Sequence, residues 1–115
     1  IMVKLILQPI VENAIYHGLD SVAEGGLIRV NGYRSGQSIV FEVIDNGKGM
    51  DEGMLRKMND YVNDMNQHFK SIGLKNVNKR IKLYYGDHYG LRLTSAPGEG
   101  TKVIVTIPYV EKEPL

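Results

Sequence analysis

Ser38-Ile39-Val40-Phe41-Glu42-Val43-Ile44-Asp45, running straight into Asn46-Gly47-Lys48-Gly49-Met50, is the stretch on which the fold turns. Its first half sets Ile39, Phe41 and Val43 against Ser38 and Glu42, the period-two pattern of a strand with one buried face. Asp45 falls on the buried parity. A carboxylate at the end of a buried face is costly unless hydrogen-bond donors reach it. Gly47 and Gly49 let the backbone bend sharply and approach a flat ligand without interference from a β-carbon. The amino group of an adenine would be a suitable donor to Asp45. Read locally, the same residues also describe an Asx-type turn that simply ends a strand, and at this level both readings stand.

Working outward, Leu27 to Arg34 alternates Ile28 and Val30 against Arg29 and Asn31, and Ser35-Gly36 joins it to the Ser38–Asp45 strand as a tight hairpin. Upstream, Leu7, Ile10, Val11 and Ala14 form the stripe of an amphipathic helix. Pro9 is tolerable there only near the helix start or at a kink, and Gly18 is a natural stop. Downstream, Asp51 to Gln67 reads as a helix with Met54, Leu55, Met58, Tyr61, Val62 and Met65 at helical spacing and Asp51 as N-cap. A third helix is expected from about Gly73 to Tyr85, with Leu74, Val77, Ile81 and Tyr84 on its apolar side and Lys75, Lys79 and Lys82 in solvent. Two strands close the pattern, near Tyr89 to Ser95 and Lys102 to Tyr109, joined by Ala96-Pro97-Gly98-Glu99-Gly100. Helix, two strands, two helices and two strands is a grouped order. It predicts an α+β fold with helices layered on one sheet face and argues against a doubly wound parallel sheet.

The chain has 115 residues, which fits one domain, residues 1–115. With 14 basic and 13 acidic residues it lacks the charge excess expected of a nucleic-acid partner. The absence of cysteine excludes disulfides, zinc–thiolate sites and cysteine nucleophiles. No apolar run reaches the roughly 20 residues that span a bilayer, and no signal-peptide pattern is present. Opening on Ile1, Met2 and Val3 in mid-pattern, the chain reads as part of a longer polypeptide. There is no Walker-type phosphate loop and no dinucleotide Gly-x-Gly-x-x-Gly. His17, His68 and His88 lack the spacing of a metal site.

Three further stretches can carry chemistry. In Glu12-Asn13-Ala14-Ile15-Tyr16-His17-Gly18, Asn13, Tyr16 and His17 fall at i, i+3 and i+4 and share a helix face. An amide oxygen at Asn13 can ligate a hard cation such as Mg²⁺, and a ring one turn on can touch a base or a phosphate. The bland alternative is a solvated helix flank. Ser71-Ile72-Gly73-Leu74-Lys75-Asn76 opens a helix whose free N–H groups favour an anion, against ordinary helix initiation capped by Ser71. Gly98-Glu99-Gly100-Thr101 links the last strands and by default is a hairpin turn.

Taken in order, these stretches resemble the Bergerat-fold ATPases, the superfamily of gyrase and the sensor histidine kinases. Leu7 to Gly18 looks like the N box and Asp45 to Met50 like the first glycine box. Ile72 to Asn76 looks like the second glycine box and Gly98 to Thr101 like the last glycine motif. Gln8-Pro9-Ile10-Val11-Glu12-Asn13-Ala14, together with Ile72-Gly73-Leu74-Lys75-Asn76-Val77-Asn78-Lys79-Arg80-Ile81-Lys82-Leu83-Tyr84-Tyr85-Gly86, is most similar to the YesM-like and LytS-like group of bacterial sensor kinases.

The resemblance implies a two-layer α/β sandwich with a mixed, mostly antiparallel sheet, and ATP held between the helix layer and a mobile lid. It implies that Asp45 reads the adenine amino group, that Asn13 holds Mg²⁺ through the ATP phosphates, and that Tyr16, His17 and Met50 line the nucleotide site. Gly47 and Gly49 would shape the adenine pocket, the backbone of Ile72, Gly73 and Leu74 would face the phosphates, and Thr101 would support the base. It also implies histidine phosphorylation on an upstream dimerisation domain, a downstream response regulator, and a homodimeric, membrane-anchored bacterial parent with this domain in the cytoplasm. The chain departs from the family where Phe69 and Ser71 replace glycines. It departs again at Pro9, where relatives carry an acid or a second asparagine. Glu12 is acidic but lies one step away, about 100° round the helix from Asn13, and the resemblance does not transfer a general-base role to it. An anti-sigma-type serine kinase and a docking module with a decayed pocket are the alternatives on the same fold.

Overall fold

The computed structural model describes residues 2–15, 25–63 and 73–109. Its elements are α1 (Met2–Asn13), β1 (Ile28–Ser35), β2 (Ser38–Asp45), α2 (Glu52–Asn63), α3 (Gly73–Tyr85), β3 (Gly90–Ser95) and β4 (Thr101–Pro108). The four strands form one sheet in the order β1-β2-β4-β3. Every pairing is antiparallel, so the parallel component of the expected mixed sheet does not occur among the described residues. The α+β expectation holds. Ile6, Ile10 and Ala14 of α1, Val62 of α2 and Leu74, Val77 and Ile81 of α3 form one core with Val43, Leu91, Leu93, Val103, Val105 and Ile107 of the sheet.

β2 runs from Ser38 to Asp45 as its alternation predicts, and its odd positions face the helices. β1 forms a strand from Ile28 to Ser35, as its alternation predicts, but buries little. Val30 is 46% exposed and only Ile28 of the strand packs against the core. Among the described residues β1 is an edge strand pairing with β2 alone, so alternation there records strand propensity rather than burial. Gly32 lies opposite Phe41, and a β-carbon on it would come within 3.1 Å of the Phe41 ring. The ring covers the glycine and fills the gap left in the edge strand.

α1 contains Pro9 well inside it, not near its start. A proline there removes one helical hydrogen bond and costs about 3 kcal/mol. Ile6 and Ile10 are fully buried on either side, and each such burial contributes about 1.5–3 kcal/mol, so packing outweighs the broken rung. Beyond Asn13, Ala14 and Ile15 continue in a wider, π-type turn, and Gly18 lies outside the described residues. α2 begins as read: the Asp51 carboxylate accepts from Met54 N at 2.8 Å, satisfying one of the helix's free donors. The expected extension to Gln67 falls outside the described residues.

α3 has the predicted bounds but a rotated face. Tyr84 is 55% exposed, whereas Lys75, read as solvated, is 5% exposed. At 100° per residue, Tyr85 lies closer to the line of Ile81 than Tyr84 does, and Tyr85 packs against the core. Lys75 Nζ sits 4.8 Å above the Tyr61 ring, a cation–π contact that keeps a buried ammonium favourable. Burial holds the Tyr61 phenol above its ordinary pKa. Lys82 is half-buried and donates to the carbonyls of Asp87 at 3.1 Å and Tyr89 at 2.9 Å.

The outer edge of β3 is closed by helix side chains rather than by another strand. Asn78 accepts from Leu91 N at 2.9 Å and donates to Val62 O at 2.8 Å, tying α3 to both β3 and α2. Asn59 accepts from Leu93 N at 2.9 Å and donates to Leu93 O at 3.1 Å. An exposed strand edge invites pairing with other chains, and these two amides occupy it. Asn78→Ala would leave two buried backbone groups unpaired and should destabilise the chain by about 2–4 kcal/mol in urea unfolding. The exposed Asn76→Ala control should stay within about 0.5 kcal/mol of the parent. Equal unfolding midpoints for the two variants would refute this account of the β3 edge.

Candidate functional site

Asp45 ends β2 with Ile28 of β1 on one side and Thr101 of β4 on the other. It is 6% exposed. Its Oδ1 accepts from Gly47 N at 2.9 Å and from Thr101 N at 3.2 Å. The bond to Gly47 is the Asx turn that the sequence allowed, and it does not compete with a ligand role. One oxygen makes the turn, while Oδ2 takes no hydrogen bond among the described residues. The carboxylate is therefore fixed in direction and keeps an acceptor at the mouth of the sheet.

Two loops lie side by side around it. Gly98 N donates to Lys48 O at 2.7 Å, and Met50 N donates to Ser95 Oγ at 2.8 Å. Ser95 Oγ donates to Gly100 O at 2.6 Å and lies 3.0 Å from Thr101 Oγ1. The approach is close enough to demand glycine twice. Gly49, at φ +70°, has no room for a β-carbon because the Ala96 carbonyl stands there. Gly100, at φ +76°, is likewise backed by the Asp45 carbonyl. Both conformations are strained for any residue with a side chain. The Gly98–Thr101 stretch is thus a hairpin connection, as its default reading had it, and also one wall of the site.

Asn46 shapes the other wall. Its Oδ1 accepts from Leu27 N at 2.8 Å, its Nδ2 donates to Gly25 O at 2.9 Å, and its backbone N–H donates to Leu27 O at 3.3 Å. The side chain extends the β1–β2 ladder past the point where β2 turns. Leu27, Ile28, Val30, Ile44, Asp45 and Asn46 line an open groove beside it.

Asp45, Gly47, Gly49, Met50 and Thr101 are thus brought together, with Gly47 buried and Met50 packed against the core. Asn13, half-buried, is the last residue of α1, and Gly73 is the first of α3, two helices that pack against each other. The Leu74 side chain is 0% exposed in the core, which leaves its backbone alone to meet a ligand. Glu12 is exposed. Tyr16, His17 and Ile72 lie outside the described residues. Ser95 and Asn46 were not singled out from the sequence. The parity of Ser95, on the core face at the end of its strand beside Thr101, was the available signal. Among the described residues no group of three or more His, Cys, Asp or Glu could hold a metal by itself.

The model of the family described as "Histidine kinase-, DNA gyrase B-, and HSP90-like ATPase" matches residues 1–111. The chain is 36% identical over 105 residues to the sensor histidine kinase YesM of Bacillus subtilis (strain 168), covering 91% of this chain and 17% of that protein. It is 33% identical over 105 residues to the sensor protein kinase HptS of Staphylococcus aureus (strain USA300), covering 91% and 20%. The chain therefore spans about a fifth of these relatives' length. Among solved structures, the catalytic domain of the histidine kinase ThkA aligns with a TM-score of 0.69 at 21% identity, covering 93% of this chain and 66% of that one. The histidine kinase domain of the Erythrobacter litoralis EL346 blue-light activated kinase aligns with a TM-score of 0.66 at 23% identity, covering 93% and 43%. These two likenesses establish a shared fold. With the family model running through both glycine loops and the sheet that carries them, this chain belongs to the histidine kinase-, DNA gyrase B- and HSP90-like ATPase family.

Proposed function

We propose that this chain binds ATP with Mg²⁺ and donates the γ-phosphoryl group to a histidine on a separate dimerisation domain of the same protein, within a two-component signalling pathway. The observation that carries this reading is the Asp45 carboxylate, buried and aimed, with one oxygen committed to the turn and the other left as an acceptor. An adenine amino group is the donor that suits it. Gly47 and Gly49 shape the pocket for the base, and Thr101 supports it from β4. The first N–H groups of α3, at Gly73 and Leu74, provide positive partial charge for the phosphates. Tyr16, His17 and Ile72 complete the proposed nucleotide site.

Asn13 offers one amide oxygen at the end of α1. That suits Mg²⁺, which keeps most of its waters and shares phosphate oxygens rather than requiring a protein cage. When bound, the metal neutralises phosphate charge. The protein's own share of catalysis is positioning and electrostatics. An exposed Glu12 is no obstacle, because an imidazole nucleophile needs no residue to activate a water.

A relative named as a sensor histidine kinase favours histidine over serine as acceptor. The intact Asp45 arrangement speaks against a docking module with a decayed pocket. One related kinase has been solved in complex with a response regulator, which supports a response regulator as the downstream partner here. None of the described helices is long and apolar enough to cross a membrane. In this reading the domain is cytoplasmic, and the dimer contacts and membrane anchor of a bacterial parent belong to other parts of that protein.

Asp45→Asn keeps the oxygen that accepts from Gly47 and Thr101 but replaces the free acceptor with a donor. Calorimetry should show ATP affinity lowered about ten-fold or more, in line with about 1.5–3 kcal/mol for a charge-assisted bond, with an unfolding midpoint close to the parent's. Unchanged affinity would remove Asp45 from the nucleotide site. Incubated with γ-labelled ATP and Mg²⁺, residues 1–115 should bind nucleotide without acquiring phosphate. Stoichiometric, acid-labile label on His17, His68 or His88 would refute the separate acceptor.

A further inference from the structure

The Ser95 hydroxyl is reached by three polar groups at once: Met50 N at 2.8 Å, Gly100 O at 2.6 Å and Thr101 Oγ1 at 3.0 Å. A hydroxyl has one proton and two acceptor sites. The Gly100 carbonyl can only accept, so the Ser95 proton goes to it. The Met50 N–H can only donate, so it takes one lone pair of Ser95. What remains on Ser95 is a single lone pair, and the contact with Thr101 therefore has one possible sense: Thr101 donates and Ser95 accepts. Thr101 has spent its proton inward. Toward the site it presents lone pairs only.

Its cross-strand partner is Asp45, on the same sheet face. That carboxylate is also an acceptor, with Oδ1 occupied by the N–H groups of Gly47 and Thr101. The ends of β2 and β4 thus show an incoming base an edge of acceptors. An unpaired donor on the ligand fits such an edge. A carbonyl oxygen in the same place meets two lone-pair-bearing groups and loses its own hydration without compensation.

We propose that Ser95 is a positioning residue that sets base selectivity by wiring the Thr101 hydroxyl as an obligate acceptor, so that Thr101 and Asp45 together demand an amino group at the purine 6-position. The proposal rests on the nucleotide reading of the site and adds to it the residue that fixes the polarity. Ser95 itself does not touch the ligand. It acts through Thr101, and by holding Met50 and Gly100 it ties that polarity to the spacing of the two loops.

The test is the ratio of ADP to IDP affinity with Mg²⁺ present, measured by calorimetry on residues 1–115. IDP differs at the decisive edge, carrying a carbonyl where ADP carries an amine. The parent should prefer ADP by roughly ten-fold or more. In Ser95→Ala the Thr101 proton is released to turn outward, and the ratio should fall at least several-fold, with IDP gaining relative to ADP. Ser95→Thr, which keeps the hydroxyl, should restore the ratio. In a Thr101→Val background, Ser95→Ala should change the ratio no further. A purely structural serine would lower both affinities together and leave the ratio alone, and that result overturns the proposal while the nucleotide reading stands. Should Ser95→Ala fail to fold, Thr101→Val against Thr101→Ser decides: an unchanged ratio in the valine variant overturns the wiring. A folded parent that binds neither nucleotide overturns the nucleotide reading and this inference with it.

Discussion

A carboxylate at the buried end of a central strand is the constraint around which this domain is arranged. Asp45 is inside the protein, and an ionised group there is tolerated only where donors are delivered to it. The backbone supplies them from two directions, the turn at Gly47 and the start of β4 at Thr101. Delivering the second donor requires β4 to lie beside β2 in a fixed register, with Thr101 level with Asp45. The sheet order and the site are therefore one requirement. A slip of one residue between β2 and β4 would reverse the faces of every side chain on the moved strand and would take the Thr101 N–H away from the carboxylate.

The same economy governs the far side of the sheet. Among the described residues β3 has only β4 as a strand neighbour, and its other edge is met by Asn59 and Asn78 reaching down from α2 and α3. Those amides fix how the two helices sit along the sheet, because each bonds one particular strand residue. α3 carries the proposed phosphate-facing backbone at its start. Its position relative to Asp45 is thus set by side-chain amides on β3 as much as by the apolar core beneath it.

Much of this was legible in the residues. β2 and α3 have the bounds their patterns predict, since an apolar run ending in Asp-Asn-Gly and a stripe ending at Gly86 are strong local signals. Asp51 is the N-cap it was read to be. What the residues did not reveal is tertiary in origin. Pro9 sits inside α1 because burial of Ile6 and Ile10 outweighs a missing rung. Val30 is exposed because strand alternation cannot report that β1 is an edge. Lys75 is buried because the Tyr61 ring, 14 residues earlier in sequence, happens to lie under it. Within the site, Asp45 and the glycines announced themselves by type and spacing. Ser95 did not: a serine before a turn is ordinary, and its importance depends on three partners that the sequence does not place next to one another.

The two glycine contacts between the loops have a wider bearing. Behind the α-carbons of Gly49 and Gly100 stand the carbonyls of Ala96 and Asp45, with no side chain between. The gap is consequently gauged by main-chain dimensions, which are the same whatever amino acids surround them. Exchange of neighbouring side chains over generations can reshape the rim and retune what approaches it without altering this calibre. Inheritance of the pocket's width is in that sense separate from inheritance of its lining.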